Sequence, residues 1–105
     1  MKEYNVILSK VAVREIDNAV NYIANNLQEQ GISKKLYNNI TKAIKNLKDS
    51  PHRHAPIEFN NIHNASQYRK CIVGRYIIFY SIHEEKDSIY VERVIHGTRD
   101  WMSML

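Results

Sequence analysis

The residues best suited to chemistry stand close to the end of the chain, where His96 is followed by Gly97 and then by Arg99. Histidine titrates near neutral pH, so it can act as a general acid or base. Arginine carries a fixed charge that can bind a phosphate group. A purely structural role for His96, hydrogen-bonded at the end of a strand, is the alternative, and the sequence leaves both roles open.

A second group combines basic and aromatic side chains. Arg69, Lys70 and Arg75 lie within seven residues of one another, with Tyr68 and Tyr76 on either side. Cations interleaved with tyrosine rings are typical of surfaces that bind RNA or an acidic peptide. Ordinary strand residues that face solvent would show the same pattern, so the pattern alone does not decide between these roles.

Histidines are also grouped in an irregular stretch, at His52, His54 and His63, with Arg53 among them. A pair of histidines separated by one residue suggests a metal site. The spacing matches no established zinc site, and no cluster of carboxylates accompanies it. The sequence therefore predicts no bound metal and no cofactor.

Two further residues have a chemical and a structural interpretation. Cys71, the only cysteine, stands between Lys70 and Ile72 on a predicted strand. A free cysteine is usually a small buried hydrophobic residue, and a role as nucleophile would need a nearby histidine. Trp101 is expected to close the C-terminal tail onto the domain, or else to contribute to a partner surface.

Positive charge is concentrated in the middle of the chain. The whole sequence has a net charge of +4, but residues 33–76 contain nine basic and two acidic residues, a net charge of +7. Such a block favours an anionic partner, either a nucleic acid or an acidic protein segment. The alternative is a lysine-rich helix face that simply contacts water.

Length and composition limit the architecture. The chain has 105 residues, of which 44% are hydrophobic and 25% charged, as is typical of one globular domain covering residues 1–105. A single cysteine cannot form an internal disulfide, and no apolar run approaches the roughly 18 residues needed to cross a bilayer. No secretory signal is evident, so the cytoplasm is the expected location.

Hydrophobic periodicity predicts a first strand over residues 4–8, followed by two helices. Ser9 is a suitable N-cap for the first helix, and Gly31 is its predicted end. Ser33 is the predicted cap of the second helix, which ends before Pro51 because the residue preceding a proline avoids helical geometry. The helices would be about 19 and 16 residues long and would form an antiparallel hairpin.

The last third of the chain has the pattern of three strands joined by tight turns. They cover about residues 68–73, 76–83 and 88–96, and the middle strand is apolar on both faces. The order is therefore β-α-α-β-β-β. It predicts a two-layer α+β domain in which a helical hairpin packs on one face of a mainly antiparallel sheet, with the first strand beside the last.

Particular strings in these strands resemble a known protein family. They are Tyr-Arg-Lys-Cys-Ile-Val-Gly-Arg-Tyr-Ile-Ile-Phe-Tyr, starting at Tyr68, and Val-Ile-His-Gly-Thr-Arg-Asp-Trp, ending at Trp101. Together with the Ser-led first helix, they resemble the RelE/ParE superfamily of bacterial toxins from type II toxin–antitoxin modules. The resemblance covers nearly the whole chain and implies the same fold.

The resemblance implies one of two activities. The RelE branch cuts mRNA on the ribosome, with cations on the middle strands, an arginine after the last strand and a C-terminal tyrosine or histidine. Arg69 and Arg99 match two of these cations, and His96 would have to serve as acid or base. The other two cation positions hold Cys71 and Ile77, and no C-terminal tyrosine follows Trp101.

These departures favour the ParE branch, whose members inhibit DNA gyrase and are not nucleases. A RelE-like enzyme with a rearranged site, and a non-toxic module that only binds an antitoxin, are the alternatives. In each case the resemblance implies a cognate antitoxin with an acidic, amphipathic C-terminal segment, and no membrane partner. The residues expected to bind partners are Lys34, Lys35, Arg69, Lys70, Arg75 and Trp101.

Overall fold

A computed structural model describes residues 3–57 and 68–105, and its elements follow the predicted order. They are β1 (Asn5–Leu8), α1 (Lys10–Asn21), α2 (Gln30–Leu47), β2 (Arg69–Val73), β3 (Tyr76–His83) and β4 (Ser88–His96). A π-helical turn, Tyr22–Asn26, extends α1. His63, one of the predicted metal candidates, lies outside the described residues.

The four strands form one sheet in the order β1-β4-β3-β2. Strand β1 runs parallel to β4, whereas β3 is antiparallel to both of its neighbours. The predicted two-layer α+β fold and the position of the first strand beside the last are therefore confirmed. Strand β3 is internal and buried over most of its length, because apolar side chains leave it on both faces.

The two helices cover one face of the sheet, which we call the helix face. Only one stripe of each helix is apolar, and those stripes meet the sheet in the main core. Its fully buried members include Ala12, Ile40, Ile78, Tyr80, Ile89 and Val91. No helix in the described ranges is long and apolar enough to span a membrane.

The other face of the sheet, here the open face, has a smaller core of its own. It consists of Ile57, Ile77, Phe79 and Ile95. A C-terminal 3-10 turn, Trp101–Met104, packs over it, and the rings of Trp101 and Phe79 lie 5.2 Å apart. Trp101 therefore closes the tail onto the domain, as the sequence predicts.

Ser9 joins the first helix to the sheet through two hydrogen bonds. Its hydroxyl oxygen accepts from the backbone N–H of Ala12 at 2.9 Å, which makes it the predicted N-cap. The same hydroxyl donates to the carbonyl of Glu92 at 2.8 Å. One side chain therefore provides a hydrogen-bond partner for an N–H of the helix and for a carbonyl of β4.

We expect Ser9→Ala to lower the free energy of unfolding by about 1–2 kcal/mol, because it removes both the cap and the bond to β4. Urea denaturation followed by circular dichroism measures this change. Ser103→Ala is the matched control, since that hydroxyl only donates to Asp100 within the exposed tail. Equal effects of the two substitutions would contradict the role assigned to Ser9.

The boundary between the helices differs from the prediction. Gly31 does not end the first helix, and Ser33 does not cap the second, because both lie inside α2. The chain reverses earlier, where Gln28 adopts a left-handed conformation with φ of 54°. Ser33 is buried and donates to the carbonyl of Val20 at 2.8 Å, so it joins the two helices.

Candidate functional site

The tight turn between β2 and β3 is the point where the helices, the sheet and the chain end approach one another. Gly74 holds this turn with φ of +58°, a left-handed conformation that glycine adopts without strain. Arg75 and Tyr76 follow it, and the carbonyl of Arg75 accepts from the N–H of Gly97 at 2.8 Å. The turn is thus fixed against the end of β4.

Between this turn and the helical hairpin lies a groove of about 250 Å³, here called the turn groove. Apolar side chains from both helical segments and the ring of Tyr76 form its floor, and two cations stand among them. Its lining residues are Ile23, Ile32, Lys35, Leu36, Asn39, Arg75 and Tyr76. Within the described part of the chain, neither Lys35 nor Arg75 has an ion-pair partner.

His96 lies next to the turn, at the end of β4. Its Nδ1 atom accepts from the N–H of Thr98 at 3.2 Å and is 2.7 Å from the hydroxyl oxygen of the same residue. Because the backbone N–H can only donate, neutral His96 has its hydrogen on Nε2. The imidazole ring meets the ring of Tyr76 edge to face, with 5.1 Å between the ring centres.

His96 and Arg99 line one cavity of about 320 Å³ between α1 and the free edge of β4. Two tyrosines and two polar residues of α1 contribute to the same walls. The lining residues are Glu15, Asn18, Ala19, Tyr22, Tyr76, Val94, Ile95, His96 and Arg99. His96 and Arg99, two of the three predicted catalytic residues, therefore line the same cavity.

Arg69, the third predicted catalytic residue, lies at the opposite end of the sheet. It pairs in register with Tyr80, whereas His96 pairs with Tyr76, four residues away along β3. At about 3.3 Å per residue, that separation is roughly 13 Å along the strands. The guanidinium of Arg69 donates to the carbonyl of His54 at 2.5 Å, so it holds the loop after α2.

The two strand positions that would hold cations in a RelE-like enzyme are both buried. Cys71 faces the helices in the main core, and Ile77 belongs to the core of the open face. Burial raises the pKa of the Cys71 thiol, which favours the unreactive protonated form. The predicted structural role of Cys71 as a small buried residue is consistent with this position.

The histidine pair after α2 has structural contacts. The Nε2 atom of His52 lies 2.8 Å from a carboxylate oxygen of Glu84. The ring of His54 packs edge-on against Tyr80, and burial, together with Arg53 and Arg69, lowers the pKa of His54. In the ranges 3–57 and 68–105, no three His, Cys, Asp or Glu side chains are grouped so as to hold a metal ion.

Tyr80, at the centre of this region, has a wholly buried ring. Its hydroxyl donates to the carbonyl of Pro51 at 2.6 Å, and burial raises the pKa of Tyr80 to about 12. The phenol therefore stays protonated and neutral at physiological pH. It fixes the end of α2 to the sheet, and this long-range contact has no signal in the sequence.

The six residues expected to bind partners occupy separate places. Lys34 is exposed on α2, and Lys35 lies in the turn groove with Arg75. Lys70 projects from the open face, where its ammonium lies 5.2 Å from the centre of the Trp101 ring. Of the six, the structure brings together Lys35 with Arg75 and Lys70 with Trp101, while Arg69 contacts the loop after α2.

An ion pair between Arg93 and Glu15 joins β4 to α1. The guanidinium of Arg93 donates to both carboxylate oxygens of Glu15, with a shortest distance of 2.7 Å. The carboxylate also accepts from the backbone N–H of Val94 at 2.9 Å. Sequence analysis did not single out Glu15, because its partners lie almost 80 residues away.

Comparison with known proteins agrees with this architecture. The family described as "ParE toxin of type II toxin-antitoxin system, parDE" matches residues 6–101. No curated protein matches the chain significantly in sequence.

Solved structures share the fold. A chain of a chromosomal ParDE system from P. aeruginosa superposes with a TM-score of 0.71 at 11% identity, covering 91% of this chain and 98% of that one. A chain of the RelBE2 complex from Mycobacterium tuberculosis gives 0.63 at 20% identity, covering 91% and 93%. A mutant of E. coli RelE in the free state gives 0.63 at 15% identity, covering 97% and 92%. Because the family match spans almost the entire chain, this protein belongs to the ParE toxin family of type II toxin–antitoxin systems.

Proposed function

We propose that this protein arrests bacterial growth by inhibiting DNA gyrase, without catalysing a reaction itself, and that a cognate antitoxin neutralises it. Membership of the ParE family supports the gyrase target over the ribosome. The observation that carries the proposal is the separation of the candidate catalytic groups. Arg69 lies roughly 13 Å along the strands from His96, and Cys71 and Ile77 are buried where strand cations would be needed.

A phosphoryl-transfer site needs its base, acid and cations around one phosphate, because transition-state stabilisation depends on convergent charges. Arg69 is already engaged by the carbonyl of His54. Of the three predicted catalytic residues, only His96 and Arg99 line a common cavity. The strand positions that would supply the remaining cations of the RelE mechanism hold Cys71 and Ile77, which are buried and uncharged.

Expression without the antitoxin tests the proposal in cells. We expect growth arrest accompanied by a DNA-damage response, because inhibited gyrase leaves damaged DNA, and no early fall in protein synthesis. Incorporation of labelled amino acids and a DNA-damage reporter measure the two responses. Immediate arrest of translation without DNA damage would refute the gyrase target, and continued growth would instead indicate a non-toxic antitoxin-binding module.

The cavity shared by His96 and Arg99 supports one alternative, a RelE-like endoribonuclease with a rearranged site. In that case His96→Ala and Arg99→Ala would both abolish toxicity while the fold is retained. Under the gyrase proposal, loss of the His96 imidazole removes no catalytic group. Toxicity of both variants would therefore exclude the nuclease.

The antitoxin is expected to bind in the turn groove. Apolar side chains together with Lys35 and Arg75, which have no ion-pair partner among the described residues, suit an amphipathic segment that carries carboxylates beside its apolar side chains. Ile32, one of the apolar side chains that line this groove, is exposed and therefore accessible to a partner. Such a segment would be disordered alone and would fold on binding.

A further inference from the structure

Among the described residues, the open face of the sheet is covered near its middle, but the end of strand β2 at Ile72 is exposed. The C-terminal turn packs over Phe79, whereas Ile72 on β2 is 65% exposed, more than any other large hydrophobic residue in the described ranges. Next to Ile72 is a cleft of about 420 Å³, here called the open-face cleft. Ile77 and His96 contribute to its lining, and Gly97 and Thr98 border it.

Arg75 lines both the turn groove and the open-face cleft. Its guanidinium has no ion-pair partner among residues 3–57 and 68–105, and no described acidic residue lines the cleft. An exposed apolar side chain beside an unpaired cation is complementary to a partner with an apolar side chain next to a carboxylate. A second copy of this chain is disfavoured as the partner. If two copies met through this face, each would bring the basic residues Lys70 and Arg75 to the interface, and these like charges would repel.

The groove and the cleft lie on opposite sides of the sheet. Ile72 pairs with Ile77 in register, and both face away from the helices, whereas Tyr76 in the turn groove faces them. One helical segment seated between the helices and the turn therefore cannot also fill the cleft. Of the described residues, only Arg75, at the turn, lines both surfaces, and one guanidinium makes a bidentate pair with one carboxylate at a time.

We propose that the open-face cleft binds the cellular target of the toxin, a protein surface with an apolar side chain for Ile72 and a carboxylate for Arg75. An antitoxin in the turn groove then excludes the target by occupying Arg75, so neutralisation is direct competition. This inference rests on the proposed toxin–antitoxin function. It does not depend on gyrase being the target.

Three substitutions test the two surfaces separately, with growth arrest and antitoxin affinity as readouts. Ile72→Asp should raise the inducer concentration required for growth arrest at least tenfold. Antitoxin affinity, measured by titration calorimetry, should change less than about twofold. Lys35→Glu should weaken antitoxin binding about tenfold or more, so that arrest persists when the antitoxin is co-expressed. Arg75→Glu should impair both readouts.

Ile7→Asp is the matched control for Ile72→Asp, because Ile7 is an exposed isoleucine on the opposite edge strand β1. It should leave both readouts unchanged. Thermal unfolding of every variant checks the fold, and Ile72→Ser, a milder change, replaces Ile72→Asp if the latter unfolds.

Full growth arrest by a folded Ile72 variant would overturn the inference. So would equal loss of antitoxin affinity in the Ile72 and Lys35 variants, since the antitoxin would then cover both surfaces. An Arg75 variant that impairs only one readout would overturn the competition. If the expected pattern holds but the purified toxin does not inhibit gyrase, the inference stands and the gyrase target is wrong.

Discussion

Replacing Glu15 with alanine is expected to lower the free energy of unfolding by about 2–4 kcal/mol, the largest effect of a single substitution considered for this protein. The carboxylate accepts hydrogen bonds from the Arg93 guanidinium and from the N–H of Val94, so both groups lose these bonds at once. The side chains of Arg93 and Glu15 are only 23% and 17% exposed, so water replaces the carboxylate poorly. Chemical denaturation with urea measures the change.

The position of this ion pair in the fold explains the size of the effect. Strand β1 pairs with β4 only as far as Val91, and beyond that point no strand of residues 3–57 or 68–105 continues along this edge of β4. Glu15 supplies the missing acceptor for Val94, and Arg93 also donates to the carbonyl of Met104 at 2.7 Å. The pair therefore connects α1, the edge of β4 and the C-terminal turn.

Lys48→Ala is the control for this prediction. Lys48 forms an ion pair with Glu3 at 3.4 Å, but their side chains are 41% and 66% exposed, and such pairs contribute at most about 1 kcal/mol. Glu15→Gln, which keeps an acceptor oxygen for Val94 but removes the charge, should fall between the two. A Glu15→Ala effect no larger than that of Lys48→Ala would contradict the structural role of the pair.

The second large effect concerns association with the antitoxin. Charge reversal at Lys35 or Arg75 should slow association about tenfold or more, because the two cations of the turn groove attract the acidic segment over a distance. For the unaltered protein, the association rate should fall several-fold between low and physiological salt, while the dissociation rate changes little. Surface plasmon resonance at several salt concentrations gives both rates.

Lys42→Glu provides the matched control. It changes the net charge of the protein by the same amount on the same helix, but Lys42 does not line the turn groove. It should alter the association rate much less than Lys35→Glu does. A salt-independent association rate would mean that the basic residues merely contact water and that burial of apolar side chains alone drives the pairing.

Much of the fold can be predicted from local patterns. The continuous apolar run of β3, the stripe containing Ile40 and Ile44, and the cap at Ser9 are encoded within a few residues, so their interpretation needs no tertiary information. The reversal between the helices is different. Glycine, at position 31, is the residue type expected at a helix end, but the residue with the left-handed conformation is Gln28. Burial of Ser33, whose hydroxyl donates to the carbonyl of Val20, favours that arrangement.

The candidate site is harder to predict, because it depends on which residues the strand register brings together. Arg69 and Lys70 are adjacent in sequence, but successive side chains of a strand point to opposite faces. Arg69 therefore contacts the loop at His54, whereas Lys70 contacts Trp101. Conversely, Lys35 and Arg75 are 40 residues apart and share one groove, which the charge pattern indicates only as a broad basic block.

The most direct test of the central claim uses purified components. Supercoiling of relaxed plasmid by DNA gyrase is measured with the toxin, with its His96→Ala and Arg99→Ala variants, and with toxin preincubated with antitoxin. A parallel reaction supplies ribosomes carrying mRNA. We predict that the toxin and its His96→Ala variant both inhibit supercoiling, that antitoxin prevents inhibition, and that the mRNA stays intact. Unimpaired supercoiling together with cleavage of ribosome-bound mRNA that is lost in the two variants would contradict the account.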